Sequence, residues 1–103
     1  MASETIITVE DKIKQAKVEE ALGILQEECA EVIVEVSKIR RFGLNSHHYK
    51  TGQEHREMLE IEIGDVLALV DILKEQCIIS ESGLAIAVQA KKEKLKKWSK
   101  IYE

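Results

Sequence analysis

Val18, Leu22, Leu25, Cys29, Val32 and Val36 follow one another in alternating steps of four and three. On an α-helix that spacing gathers six apolar side chains into one stripe, whereas a strand would scatter them over both faces. No proline occurs in the 103 residues to break such a helix. Aromatic residues make up only 4% of the chain, so the helices must pack through aliphatic side chains. The fold class expected is all-α, and at this length a single domain.

Four helical segments are expected. The first runs from about Thr8 to Glu20, with Thr8 as its cap and Asp11 three residues later in a variant of the capping box. The second, about Leu22 to Arg41, carries the stripe; the residues leave open whether Gly23 separates the two. Arg40 and Arg41 close it, where cations meet the negative end of the helix, and Gly43 is a natural terminator. Asn45, Ser46, His47, His48, Tyr49 and Gly52 form a polar connection, with His47 and His48 read as loop residues and His55 as helix surface. The third helix spans about Gln53 to Cys77, and the fourth about Leu84 to Tyr102, separated by Ser80, Ser82 and Gly83. Together they predict a four-helix bundle whose two long central helices are antiparallel. Its apolar faces exceed what one short chain can cover, so completion as a homodimer or homotetramer is expected.

Charge and composition narrow the functional classes. A net charge of −4 argues against a general nucleic-acid binder, whose footprint is usually basic. No apolar run approaches the roughly 20 residues that span a bilayer. Met1 to Thr5 lack the basic stretch and apolar run of a secretion signal, so a cytoplasmic location is expected. Cys29 and Cys77 both fall on apolar helix faces and read as buried, reduced thiols rather than a disulfide.

Glu62 and Asp65 break the pattern. At roughly 100° per residue, Met58, Leu59, Val66, Leu69, Val70 and Leu73 surround the direction of Glu62, and Asp65 shares its face. Glu57, Glu60, Asp71 and Glu75 already supply the solvent side. A carboxylate aimed at a core needs a cation, a basic partner or a proton. Upstream, Glu28 and Glu31 form a second i,i+3 pair at the border of the apolar stripe, with Glu35 nearby and Glu27 nearer solvent. If the two helices are antiparallel, four carboxylates converge. An all-carboxylate set suits Mg²⁺ or Mn²⁺ rather than zinc. No Gly-rich phosphate loop is present, so phosphates would be held through metal and side chains. An inward Glu-x-x-His, as a di-iron bundle requires, is absent.

Glu27-Glu28-Cys29-Ala30-Glu31, the Arg40-Arg41-Phe42-Gly43 helix ending and Glu62-Ile63-Gly64-Asp65 together resemble the MazG-like all-α nucleoside triphosphate pyrophosphohydrolases. The family signature is Glu-Glu-x-x-Glu followed by Glu-x-x-Asp, and the resemblance covers about residues 20 to 100. It implies Mg²⁺-dependent hydrolysis of an NTP or dNTP to the monophosphate and pyrophosphate, in a dimer or tetramer. By motif position it implies Glu28, Glu31, Glu62 and Asp65 as metal ligands, with Glu27 a further ligand or water-orienting residue. Lys91, Lys92 and Lys97, with Arg41, are the phosphate-side candidates; Phe42 and Tyr49 are those for stacking on a base. The thirty or so residues from Glu31 to Glu62 are at the long end for the family. Many members also carry an Asn on the last helix, where Lys96 stands here.

Blander readings accompany each feature. The Glu27–Glu31 run also fits a solvated acidic face, and Glu62 with Asp65 a structural ion pair to Lys91 or Arg41. The lysines of the last helix fit a solvated face. Two further functions compete with the enzyme: a catalytically silent member that binds nucleotide or metal, and a helical dimerisation module.

Overall fold

The computed structural model describes residues 6–103; the five before them, which carry the reading of the amino terminus, lie outside. Three helices follow in order: α1 (Val9–Phe42), α2 (His55–Glu75) and α3 (Glu81–Trp98). The fold is all-α, and among the described residues the sole β-type pairing is an isolated bridge between His47 and Glu54. No helix there is long and apolar enough to cross a membrane.

The first two expected segments are one helix. Thr8 Oγ1 accepts the Asp11 N–H at 3.1 Å and Asp11 returns a carboxylate to the Thr8 N–H at 3.2 Å, completing the capping box. The Thr8 N–H, and then the Thr8 hydroxyl, hold the Asp11 carboxyl below its usual range. The helix then runs through Gly23. A mid-helix glycine costs only about 1 kcal/mol. No capping residue or proline flanks it, and Ala21 and Leu25 on either side are held by α2. The four-helix expectation therefore becomes three. α1 ends at Gly43, whose φ of 98° turns the chain while its N–H reaches Ile39 O at 2.7 Å.

α1 and α2 form an antiparallel hairpin. Ala21 packs with Leu69 and Leu73, Glu28 meets Glu62 and Asp65, and Glu35 meets His55, so the register falls along α2 as it rises along α1. Apart from Lys38, the less exposed positions of α1 are Val18, Ala21, Leu25, Glu28, Val32, Glu35 and Ile39; those of α2 and its C-cap include His55, Leu59, Glu62, Val66, Leu69, Leu73 and Gln76. Both sets step by three and four in strict alternation, the seam of a two-stranded coiled coil. The seam of α1 is displaced by one residue from the stripe expected at its Leu22, Cys29 and Val36 positions. Those three side chains form the neighbouring column, exposed in this chain.

This displacement corrects the cysteine assignment. Cys29 and Cys77 are unpaired as expected but exposed rather than buried. Cys29 lies in the uncovered column. Cys77 follows the end of α2 with a φ of 60°.

The buried apolar core is small: Ala21, Leu69 and Leu73, with Leu25 and Ile79 packed against them. α3 starts at Ser80, whose Oγ accepts the Gly83 N–H at 3.0 Å, and contains no buried residue. Among the described residues the only extensive helix–helix contact is between α1 and α2. The chain exposes 8610 Å², whereas a compact monomer of 11.7 kDa is expected to expose about 5,900 Å². Its radius of gyration is 18.9 Å, against about 13 Å for a globular chain of this length.

Candidate metal centre

Four ionisable side chains occupy the seam between α1 and α2: Glu28 and Glu35 from one helix, His55 and Glu62 from the other. Heptad spacing explains the set, since Glu35 follows Glu28 by two turns and Glu62 follows His55 by two turns. Asp65, one turn beyond Glu62 on its seam side, completes the acidic centre. Carboxylate oxygens of Glu28, Glu62 and Asp65 all lie within 4.8 Å of one another. Glu28 and Glu62 are partly buried, while Asp65 is open to solvent.

Removal from water pushes the Glu28 carboxyl above its usual range. The charges of Asp65 and Glu62, a hydrogen bond from protonated Glu28 to Asp65 and the charge of Glu31 push it the same way. Glu62 is raised first by burial, then by the charges of Asp65, Glu31 and Glu35. No basic side chain answers these charges: among the described residues none of Glu28, Glu31, Glu62 and Asp65 takes part in a salt bridge. The blander reading of an ion pair to Lys91 or Arg41 therefore finds no pair in the single chain. The donor set is all oxygen, which fits Mg²⁺ or Mn²⁺ and not zinc.

The other expected site residues fall into three groups. Glu31 is exposed, outside the three-carboxylate cluster, but near enough for its charge to act on Glu28 and Glu62. Glu27 is exposed with no such effect. Lys91, Lys92 and Lys97 are exposed on α3, and Lys96 is engaged by Glu93 at 2.9 Å. Arg41 is exposed, its guanidinium 5.1 Å from the centre of the Phe42 ring, beside Val36 and Arg40 on another side of α1. Phe42 and Tyr49 do come together, lining a cavity beneath the loop between α1 and α2.

His55 is the principal revision of the sequence reading. Expected on the helix surface, it is 5% exposed, its Nδ1 3.5 Å from Oε2 of the equally buried Glu35. Lys38 Nζ donates to the other Glu35 oxygen at 3.3 Å. A heptad reading of Glu28 with Glu35 and of His55 with Glu62 carries the signal that finds the pair. The loop that buries His55 is ordered by its own backbone: His48 N–H donates to Gln53 O at 2.8 Å and His55 N–H to Ser46 O at 2.9 Å.

No protein-family model, curated protein or solved structure matches the chain.

Proposed function

We propose that this protein is a divalent-metal-dependent nucleoside triphosphate pyrophosphohydrolase of the MazG-like kind, acting on the cytoplasmic nucleotide pool. The observation that carries the reading is the meeting of Glu28, Glu62 and Asp65 across the helical hairpin with no basic partner. Each belongs to the Glu-Glu-x-x-Glu and Glu-x-x-Asp pattern that the resemblance rests on. Their mutual repulsion is a standing cost of the fold that a dication would relieve. A structural role alone gives no reason to keep that cost.

Glu28, Glu62 and Asp65 would hold Mg²⁺ or Mn²⁺, with Glu31 at the margin. When bound, the ion supplies charge for the phosphate oxygens and a water of lowered pKa for attack at the α-phosphorus. Glu35, behind Glu62 in the seam, keeps the second helix in register through His55.

The exposed column Leu22–Cys29–Val36 and the unburied α3 support assembly as a homodimer or homotetramer. Assembly also offers a place for Lys91, Lys92 and Lys97, which the single chain leaves facing solvent. A net charge of −4 and the acidic seam do not favour nucleic acid as a partner.

Incubation with canonical and modified NTPs and dNTPs plus Mg²⁺, assayed for pyrophosphate, tests the proposal. Pyrophosphate and monophosphate from at least one triphosphate are expected, with loss of turnover in Glu62→Gln. Nucleotide binding without turnover would point to the silent member. Neither binding nor turnover would leave the dimerisation module.

A further inference from the structure

Glu35 and His55 meet one heptad from the acidic centre. Glu35 follows Glu28 by seven residues and His55 precedes Glu62 by seven, about 10 Å of helical rise in each case. Both side chains are buried. Glu35 Oε2 and His55 Nδ1 lie 3.5 Å apart, and neither completes a hydrogen bond. The other Glu35 oxygen accepts from the Lys38 ammonium at 3.3 Å. With a neutral imidazole this triad carries no net charge; a proton on His55 makes it singly positive.

Around the imidazole stand Glu35 and Lys38 from α1, and His47, His48 and Tyr49 from the loop. His48 Nδ1 accepts the backbone N–H groups of Lys50 at 3.1 Å and Thr51 at 3.4 Å, using a lone pair that a charged ring lacks. His47 Nε2 is 3.8 Å from Glu54 Oε1, so a proton there has a carboxylate of its own. On α2 itself, Arg56 is held by Asn45 Oδ1 at 2.9 Å. The charge of Glu35 already reaches the acidic centre. After burial and the charges of Asp65 and Glu31, it helps to raise the Glu62 carboxyl.

We propose that Glu35, Lys38 and His55 tie the metal affinity of the acidic centre to pH. A proton on His55 leaves the triad positive and weakens the hold of Glu28, Glu62 and Asp65 on a dication; the neutral triad leaves that hold intact. At about 10 Å, a unit charge and a dication repel enough to cost about 5-fold in affinity even where the dielectric is close to that of water. The triad touches no ion, so its members are positioning residues that act through charge. The coupling is reciprocal: a dication at the centre lowers the proton affinity of His55 by the same factor. The proposal rests on the metal centre of the pyrophosphohydrolase reading and not on its chemistry, and the test separates the two.

The Mn²⁺ affinity of the whole protein is measured by EPR at low ionic strength, at about pH 8 and about pH 5, the limits of the imidazole range. Wild type and His55→Gln are compared; the amide keeps an N–H for Glu35 and takes no proton. Protonation of Glu28 and Glu62 weakens binding in both, so the imidazole is read from their difference. Equal affinities at the upper pH, and binding about 5-fold tighter in His55→Gln at the lower, are the expected result. The gap should narrow in about 1 M salt, as a packing effect would not. Should His55→Gln misfold, the wild type decides alone: saturating Mg²⁺ should lower the proton affinity of His55 by about 5-fold, read from its imidazole resonance against pH. An equal loss of Mn²⁺ affinity in the two proteins, or a His55 resonance that titrates alike with and without Mg²⁺, overturns the coupling and leaves the metal centre standing. No Mn²⁺ binding at either pH overturns both. The expected difference in a protein that releases no pyrophosphate from any triphosphate keeps the coupling and defeats the hydrolase.

Discussion

His55 Nδ1 stands 3.5 Å from Glu35 Oε2 across the seam, with both side chains withdrawn from solvent. The pair joins the start of α2 to the last turns of α1, and the loop between them folds over it. An imidazole carrying both protons makes an ion pair with Glu35; a neutral ring can offer a single N–H. Either way, removing one member leaves the other buried and poorly matched.

His55→Leu or Glu35→Met alone should therefore destabilise the protein by about 3 kcal/mol. The double variant should recover much of that loss, since an apolar seam is no worse than an imperfect polar one. Urea unfolding of the four proteins at fixed concentration measures the coupling. Additive losses would show that the two side chains act independently.

The acidic centre makes a prediction of opposite sign. Glu28 and Glu62 have pKa values raised above the ordinary 4.5 in the folded chain. Their contribution to stability is fully present below pH 4.5, and it is lost as pH rises through the raised values. Without metal, Glu62→Gln should melt at a higher temperature than the wild type at neutral pH. The gap should close as the pH falls towards 4.5. A variant less stable than the wild type at pH 7 would mean that Glu62 has a favourable partner in the fold.

Gly43 ends α1 with a φ of 98°, a region that side chains rarely enter. A Cβ there would meet no neighbouring atom, so the cost of Gly43→Ala is conformational strain alone. Thermal or urea unfolding should register a loss of about 1–3 kcal/mol. Because the turn sets the loop over His55, the imidazole resonance of His55 should move as well.

The uncovered apolar surface predicts a concentration-dependent assembly. Sedimentation velocity should find dimers or tetramers, and Ile86→Glu, at a site on α3 that is 71% exposed in the single chain, should shift them towards monomer. An ideal monomer at all concentrations would leave the excess of exposed surface, 8610 Å² against the about 5,900 Å² of a compact monomer, without explanation.

Much of this was legible in the residues, and the limits have physical causes. Helix caps and ends are local, so Thr8 with Asp11 and Gly43 could be placed from the chain alone, whereas the last helix, expected from about Leu84, starts three residues earlier on the Ser80 cap. Gly23 could not, because its fate turns on the packing of Ala21 and Leu25 against α2. The grouping of Glu28, Glu62 and Asp65 follows from helical spacing and antiparallel packing. Glu31 shares a face with Glu28 in projection yet stays outside the cluster. Two columns compete on α1: Leu22–Cys29–Val36 is the more apolar, but α2 sits over Ala21–Glu28–Glu35. Polar residues in a seam invert the usual inside-out rule, which is why His55 read as surface and Cys29 as core.

Manganese titration, followed through loss of the free-ion EPR signal, tests the centre most directly. The wild type should bind Mn²⁺, Glu62→Gln and Asp65→Asn should lose that binding, and Glu75→Gln, on the solvent side of α2, should keep it. Equal binding by Glu62→Gln and the wild type, or none by the wild type at millimolar metal, would contradict a dication held between these helices.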